Sequence, residues 1–231
     1  MRYIFIHHAL PKEMVGALSV YGQCIPLPPF EKLSHPVCAH PDMLMVNIDG
    51  TLLIHAEYTE GQQILQDLQI PFMLSHTSVE KEYPKDIRLN CFSVGPCFFA
   101  HQKGISTEAL ALAETKSLHP VFVKQGYAKC SSAIAGGAIA TADQGIFRAA
   151  MQEHIPALLL NPHHIHIETY DTGFIGGAGF ALDDKLFFFG KIESFPEYTE
   201  LRDFFAKYGI TLVSLSDDPL FDYGGAVVFE T

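Results

Sequence analysis

Apolar residues along this chain gather in short runs that recur at intervals of roughly 45 residues. Five of these runs each follow a stretch in which the apolar positions have helical spacing, and four carry a proline at the same place within the run. The five runs cover residues 22–28, 68–74, 117–123, 153–159 and 208–214. Their recurrence indicates a chain built from five similar units.

A pair of strand-like runs, separated by a turn dipeptide such as Asp-Gly or Gly-Gly, lies before four of the helical stretches. These hairpin patterns cover residues 43–56, 89–101, 130–142 and 176–190. The fifth copy has no internal turn, because one of its strands, 224–230, ends the chain and the other, 2–8, begins it. We therefore expect the two ends of the chain to pair as the last hairpin. Helices are predicted over about 10–21, 58–69, 106–117, 143–154 and 196–208.

Each unit then has the order strand, strand, helix, strand. One such unit cannot bury its apolar face alone, whereas five units closed into a ring bury that face against their neighbours. The pattern predicts an α/β protein of one domain over residues 1–231, folded as a five-bladed propeller of ββαβ units with pseudo-five-fold symmetry. The alternative is an ordinary α/β sandwich in which the similarity between units arises by chance.

Polar and ionisable residues cluster at the start of the first strand of each unit when the units are aligned on their turns. In a ring these strand starts converge around the axis, and charged groups in a partly desolvated channel are costly unless they bind a ligand. The residues near these positions are His40, Asp42, Arg88, Asn90, Lys129, Cys130, Asp171 and Asp222. We therefore expect a ligand site at this end of the ring.

Several of these positions lie in short motifs that resemble those of the pentein fold. This is the guanidino-group-modifying superfamily of arginine deiminase, agmatine deiminase, amidinotransferases and dimethylarginine dimethylaminohydrolase. The stretch 40–54 resembles the family's His-x-Asp unit. The resemblance implies that His40 is the general acid/base and that Asp42 is a carboxylate that binds the guanidinium group. Residues 89–94 resemble the unit that carries an asparagine, here Asn90.

A further segment is similar to the Arg-Asp-x-Gly-Pro unit of agmatine deiminases. Residues 170–175 match it at Asp171 and Gly173. Tyr170 and Phe174 stand in place of the arginine and the proline of that unit.

The nucleophilic cysteine of the family normally lies in its last unit, near the C-terminus, and this chain ends without one. The order of the units here is cyclic. Residues 222–225 resemble the carboxylate-x-Gly-Gly unit, with Asp222 where Glu is usual, and the His-x-Asp and asparagine units follow around the ring. In the deiminases the asparagine unit is followed by the glycine-rich strand that carries the nucleophile. Cys130 occupies that place if the chain is a circular permutation of the usual order.

The chemistry of amidino carbons gives these residues separate roles. Attack on such a carbon requires a thiolate, and a partly exposed cysteine next to a cation has a lowered pKa. We therefore expect a cation to lower the pKa of Cys130, with Lys129, the substrate and protonated His40 as candidates. A guanidinium group presents donors that carboxylates accept in pairs, and the three aspartates named above are the candidate acceptors. His40 would protonate the leaving amine and then deprotonate the attacking water.

The sequence thus favours a thiol-dependent C–N hydrolase of the deiminase kind, or an amidinotransferase, acting on a small guanidino or amidino compound through a covalent cysteine intermediate. The catalytic candidates are Cys130, His40 and Asp222, and the substrate-binding candidates are Asp42, Asp171, Asn90, Arg88 and Lys129. The alternative is a non-catalytic pentein that binds a small ligand or a macromolecular partner. Cys130 would then be a small buried hydrophobe and the aspartates turn residues.

Composition and charge narrow the expected partners. The 231 residues carry 15 basic and 26 acidic side chains, a formal net charge of −11, and no cluster of Lys and Arg, so nucleic acid is not an expected partner. The apolar runs are too short to cross a bilayer and no signal-peptide pattern is seen, so we expect a cytoplasmic protein without a membrane partner. Five cysteines at irregular spacing indicate reduced thiols. No cofactor is predicted, and self-association into a homo-oligomer is left open.

One histidine-rich run could be interpreted as a metal site. A strand over residues 163–168 would hold His164, His166 and Glu168 on one face, a spacing that suits a metal ion. A His-rich edge strand is the simpler interpretation, and no metal site is predicted.

Overall fold

The computed structural model describes all 231 residues and contains fifteen strands and six α-helices. The helices are α1 (Lys12–Leu18), α2 (Pro41–Leu44), α3 (Thr59–Asp67), α4 (Thr107–Thr115), α5 (Gln144–Gln152) and α6 (Tyr198–Ala206). The strands of the first half are β1 (Arg2–His7), β2 (Gln23–Leu27), β3 (Met45–Ile48), β4 (Thr51–His55), β5 (Phe72–Ser75), β6 (Phe92–Val94), β7 (Cys97–His101) and β8 (His119–Val123). Those of the second half are β9 (Ser132–Ala135), β10 (Ala138–Thr141), β11 (Ala157–Leu159), β12 (Gly179–Leu182), β13 (Lys185–Phe188), β14 (Thr211–Ser214) and β15 (Val227–Glu230).

The strands form five separate three-stranded sheets of one design. In each sheet the middle strand pairs antiparallel with one neighbour and, across a helix, parallel with the other. The sheets are β15-β1-β2, β3-β4-β5, β6-β7-β8, β9-β10-β11 and β12-β13-β14. The prediction of five ββαβ units is confirmed.

The first strands of the five sheets line the axis of the ring. β15 contacts β3, β3 contacts β6, and β12 contacts β9. Together the five strands surround an axial channel of about 210 Å³, whose wall takes at least one residue from each of them. Examples are Asn47, Ser93, Ala133, Phe180 and Val228. Residues distant in sequence therefore meet at the axis.

The middle strand of each sheet is buried on both faces, against two different neighbours. On β1, Tyr3 and Phe5 pack with the second sheet, whereas Ile4 and Ile6 pack with the fifth. Successive side chains of a strand point to opposite faces, so this alternation follows from the period of two. The same alternation recurs on the other middle strands, and five core clusters fill the five gaps between adjacent sheets.

The two ends of the chain lie side by side in the first sheet. β15 runs antiparallel to β1, with Arg2 opposite Glu230 and Phe5 opposite Val227. The Arg2 guanidinium binds the carboxylate of Glu230 at 2.5 Å and that of Asp183, in the fifth unit, at 2.8 Å. These contacts join the first strand to the last unit.

The five long helices lie within the predicted ranges and are shorter at their ends. The sequence marks two of the starts, because the side chains of Ser106 and Asp143 accept the backbone N–H groups of Ala109 and Ile146 as N-caps of α4 and α5. No helix of the chain has both the length and the apolar character needed to span a bilayer.

The predicted strand over residues 163–168 does not form. Only an isolated bridge joins His166 to Phe221. The rings of His164 and His166 lie edge to face with centroids 4.7 Å apart, while the carboxylate of Glu168 pairs with His35 at 3.1 Å. No group of three or more His, Cys, Asp or Glu side chains has the arrangement of a metal site, and all five cysteines are free thiols.

Replacing Phe229 by alanine tests whether β15 is an integral strand of the ring. Phe229 is 5% exposed and packs in the core between the first and second sheets, so its loss should lower the free energy of unfolding by about 3–5 kcal/mol. Glu230 is exposed, and Glu230→Ala removes only a surface ion pair, which should cost less than about 1 kcal/mol. Urea unfolding measures both variants, and equal losses would contradict this role of β15.

Candidate functional site

Cys130 lies in a turn that leads into β9, and Asn90 holds this turn in place. The side-chain carbonyl of Asn90 accepts the backbone N–H of Lys129 at 2.9 Å and, more weakly, that of Cys130 at 3.4 Å. Its amide nitrogen donates to Cys130 Sγ at 3.0 Å and to the backbone carbonyl of Asp42 at 3.3 Å. Asn90 is 1% exposed. One buried amide therefore ties the starts of the second, third and fourth units together.

Asp42 contacts the thiol directly. It lies in the first turn of α2, after Pro41, and its backbone N–H donates to the carbonyl of Gly224 at 3.2 Å. Cys130 Sγ donates to Asp42 Oδ2 at 3.0 Å, while Oδ1 is buried without a hydrogen-bond partner. Asp42 is therefore placed as an acceptor for the thiol proton, in addition to the guanidinium-binding role that its motif implied.

His40 and Asp222 form a buried pair beside the thiol. His40 Nδ1 lies 3.7 Å from Asp222 Oδ1, and the Asp222 carboxylate accepts the backbone N–H groups of Phe174 and Gly224 at 2.8 and 2.9 Å. Two backbone donors thus fix the carboxylate, one at each oxygen, and Oδ1 also lies near the imidazole. A Cβ atom on Gly177 would lie 2.0 Å from Asp222 Oδ1, so glycine is required for this approach.

The charged forms of these groups are disfavoured because they are buried. Burial raises the pKa of Asp42 to about 7 and that of Asp222 to about 6, and nearby Lys129 opposes both shifts. Burial lowers the pKa of His40 to about 3, with a further contribution from His35. Without a bound cation, the centre of the site carries less charge than its residue types suggest.

The expectation that a neighbouring cation lowers the pKa of Cys130 is wrong for the unliganded protein. The residue is 3% exposed, and burial raises the pKa of its thiol well above the usual range. The negative charges of Asp42 and Asp222 raise it further, and together these effects outweigh the opposing charge of Lys129. Additional positive charge in the site would favour the ionised thiol.

A cavity of about 260 Å³ opens beside these groups. Four of the candidate residues line it, namely His40, Cys130, Asp171 and Asp222. Asp171 is exposed and lies at the mouth. The remaining walls are mostly apolar and are formed by Val37, Tyr127, Ile167, Tyr170, Thr172 and Phe174. A planar cation could enter this cavity and reach the thiol and the buried carboxylate of Asp222.

The other candidates lie outside this cavity. Asp42 and Lys129 line the axial channel on the far side of Cys130, and the Lys129 ammonium donates to the carbonyl of Gly176 at 3.1 Å. Asn90 donates to the thiol through its amide nitrogen and does not line the cavity. Arg88 is not brought to the site, because its guanidinium donates to the backbone carbonyls of Ser78 and Gly104 at 2.9 and 3.0 Å. Its role as a substrate-binding residue is therefore not supported by its position.

The aromatic wall of the cavity is not apparent from the sequence. Tyr127 and Phe174 carry no sequence signal that separates them from core residues, and Tyr170 and Phe174 differ from the motif that they occupy without indicating a role. The two rings of Tyr127 and Phe174 face each other with centroids 6.0 Å apart. Tyr127 stands three residues before Cys130, which is the one positional hint in the sequence.

Replacing Gly224 by alanine tests how closely the site depends on backbone approach. Gly224 has φ +75°, and a Cβ atom there would lie 2.2 Å from His40 Cβ. We expect Gly224→Ala to displace His40 and to lower the free energy of unfolding by more than about 2 kcal/mol. Gly50 has a matching φ of +78° with open space around it, so Gly50→Ala should cost only about 1 kcal/mol. Chemical unfolding compares the two variants, and equal costs would contradict the close approach to His40.

Solved structures with known descriptions share this fold over most of their length. DDAH from Pseudomonas aeruginosa, a cysteine-to-serine mutant complexed with citrulline, superposes with a TM-score of 0.59 at 13% identity, covering 99% of this chain and 98% of that one. An agmatine deiminase from C. jejuni with substrate bound gives a TM-score of 0.61 at 9% identity, with coverages of 99% and 93%. An amidinotransferase of the saxitoxin biosynthetic pathway of Microseira wollei gives 0.55 at 11% identity, with coverages of 92% and 77%. The chain therefore has the pentein fold.

Comparison of sequences identifies the family to which the chain belongs. No curated protein matches the chain in sequence. A family model matches residues 5–227, which is nearly the whole chain. The protein therefore belongs to the family described as "Family of unknown function (DUF6873)".

Proposed function

We propose that this protein is a thiol-dependent hydrolase or amidinotransferase that cleaves a C–N bond of a small guanidino or amidino compound. The observation that carries the proposal is the position of the Cys130 thiol between an acceptor and a cavity. Sγ donates to Asp42 at 3.0 Å, accepts from Asn90 at 3.0 Å, and shares the cavity wall with His40 and Asp222. A nucleophile, a proton acceptor and an acid/base pair are thus within one site.

A bound cation would supply the positive charge that the ionised forms of these buried groups need. The buried carboxyls of Asp42 and Asp222 and the thiol of Cys130 all have raised pKa values, so their negative forms are favoured as soon as a positive charge lies among them. A guanidinium or amidinium group carries that charge and presents its donors in one plane, which suits carboxylate acceptors. The substrate itself would therefore promote ionisation of the nucleophile.

The reaction we propose begins with transfer of the thiol proton to Asp42. The electron pair of Sγ forms a C–S bond to the amidino carbon. His40 takes a proton from one nitrogen of the bound guanidinium and passes it to the leaving nitrogen, and the C–N bond breaks with its electron pair on that nitrogen, while Asp42 keeps the thiol proton. When His40 holds this proton, the nearby carboxylate of Asp222, whose Oδ1 lies 3.7 Å from Nδ1, would oppose the effect of burial on the imidazolium.

The second half-reaction decides between hydrolysis and transfer. In a hydrolase, His40 takes a proton from water and the water oxygen attacks the carbon of the covalent intermediate. The C–S bond then breaks with its electron pair on sulfur, the proton held by Asp42 returns to Sγ to restore the thiol, and His40 releases its proton to the solvent. In a transferase, an acceptor amine takes the place of water. Solved relatives include both kinds, since a deiminase and an amidinotransferase share the fold at low identity.

A second function is favoured by one observation. Cys130 is buried, and its thiol pKa is raised well above the usual range. A pentein that binds a cationic ligand without chemistry would have the same burial and the same carboxylates. Reactivity of the thiol distinguishes the two functions.

Thiol labelling provides that test. At pH 7, a haloacetamidine should modify Cys130 at least about tenfold faster than the neutral haloacetamide does, after correction for their rates with a small thiol, because only the amidine brings a cation. Cys91 is a matched control, since it is 1% exposed and burial also raises its pKa. Mass spectrometry identifies the modified residue.

The outcome separates catalysis from binding. Cys130→Ser should abolish amine release from any guanidino compound that the protein turns over, whereas Cys91→Ser should not. Equal labelling of Cys130 and Cys91, or turnover by the Cys130→Ser variant, would sink the nucleophile assignment and leave the binding function.

The pH dependence of ligand binding tests the carboxylates. Their pKa values are raised to about 7 and about 6, so both are increasingly protonated and uncharged as the pH falls through this range. Guanidinium binding to a Cys130→Ala variant should therefore weaken below pH 6 by about tenfold per pH unit for each proton displaced. Titration calorimetry from pH 5 to pH 8 measures this, and Asp222→Asn should flatten the profile. A pH-independent affinity would contradict the role of the carboxylates.

A further inference from the structure

The cavity beside Cys130 has two chemically different ends. Its inner end holds the thiol, His40 and Asp222, and its outer end is walled by apolar and aromatic side chains. We infer that the substrate carries an uncharged hydrocarbon or aromatic tail without a carboxylate, an inference that rests on the proposed reaction at a guanidino or amidino group. The tail would lie against Tyr127, Phe174 and Tyr170.

The aromatic wall presents ring surfaces and few polar atoms. The hydroxyl of Tyr127 donates to Asp86 Oδ2 at 2.5 Å and is therefore occupied outside the cavity. Its ring lies close to parallel with that of Phe174, at an interplanar angle of 29°. Val37 and Ile167 complete the apolar lining. Burial of methylene groups or a flat ring against such a wall is favourable.

A carboxylate on the tail would find no cationic partner in this cavity, and the Thr172 hydroxyl, its neutral donor, is already directed to nearby backbone carbonyls. None of the residues that line it is a lysine or an arginine, and its histidine is largely uncharged because burial lowers the pKa of His40 to about 3. Asp171 and Asp222 would repel the carboxylate instead. Lys129, another candidate cation, lines the axial channel instead, and its ammonium group donates to the backbone carbonyl of Gly176. Binding a carboxylate here would remove it from water without compensation.

Two sequence features coincide with this wall. Tyr170 and Phe174 are the positions at which residues 170–175 depart from the Arg-Asp-x-Gly-Pro unit, and both line the cavity. Tyr170 is 48% exposed and lies at the mouth, where an arginine would have offered a cation. The departures therefore make the entrance aromatic.

Binding of a guanidine series to the Cys130→Ala variant tests the inference without depending on turnover. Methyl-, propyl- and pentylguanidine should bind progressively tighter, by about fourfold for each added methylene group. 4-Guanidinobutyrate should bind at least about tenfold weaker than butylguanidine, because the two differ by the carboxylate. 4-Aminobutylguanidine should not bind tighter than butylguanidine.

A substitution at the mouth sharpens the comparison. Tyr170→Arg should raise the affinity for 4-guanidinobutyrate by about tenfold or more and lower that for pentylguanidine. Phe122→Arg is the matched control, since Phe122 is a 45% exposed aromatic residue on β8 and does not line the cavity. This control should leave both affinities unchanged.

Alkylureas of the same lengths separate this inference from the proposed function. If ureas bind as tightly as guanidines and tighten equally with chain length, the tail inference holds and the guanidino function fails. If guanidines bind more tightly than ureas, but chain length has no effect or the carboxylate or amine compound binds best, the guanidino function holds and the tail inference is overturned. Absence of binding in every series would overturn both.

Discussion

The structure depends on one constraint, which is that the middle strand of every sheet is buried on both faces against two different neighbours. Ile4 and Phe5 are adjacent in sequence and belong to cores on opposite sides of β1. No unit can satisfy both faces alone, so the sheets must close on themselves and the two ends of the chain must meet. Closure also brings the first-strand starts to one axis. His40 and Asp222 approach each other there although they come from opposite ends of the sequence.

Burial of the charged groups at the site costs free energy. Burial raises the pKa of Asp42 to about 7 and that of Asp222 to about 6, which shows that the fold disfavours their ionised forms until a cation is present. Above these pKa values the folded protein must hold desolvated charge, and that reduces its stability relative to a chain with neutral side chains there. Five hydrophobic clusters between the sheets offset this cost. A ligand that neutralises the carboxylates would therefore stabilise the fold as it binds.

Much of the fold was predictable because apolar spacing, turn dipeptides and prolines all repeat with the same period. The strand over residues 163–168 was not, since alternating histidines have the right pattern but no neighbouring strand to pair with beyond one bridge. For the site, position at a strand start identified Asn90 and Cys130. The same rule failed for Arg88, because nearby backbone carbonyls hold its guanidinium. The thiol pKa could not be predicted, since the depth of burial is a property of the closed ring.

Burial of Cys130 is consistent with a nucleophile once its two contacts are considered together. Asn90 donates to Sγ and would stabilise a thiolate, whereas the negative charge of Asp42 opposes one while its carboxylate accepts the proton. The balance between them is set by whatever charge lies in the cavity. Burial raises the pKa of this thiol and so favours its protonated form, and protonated buried thiols resist oxidation and reaction with neutral electrophiles. Under the proposed function, selectivity for cationic compounds would follow from the same desolvation that disfavours the thiolate, with no separate recognition element required.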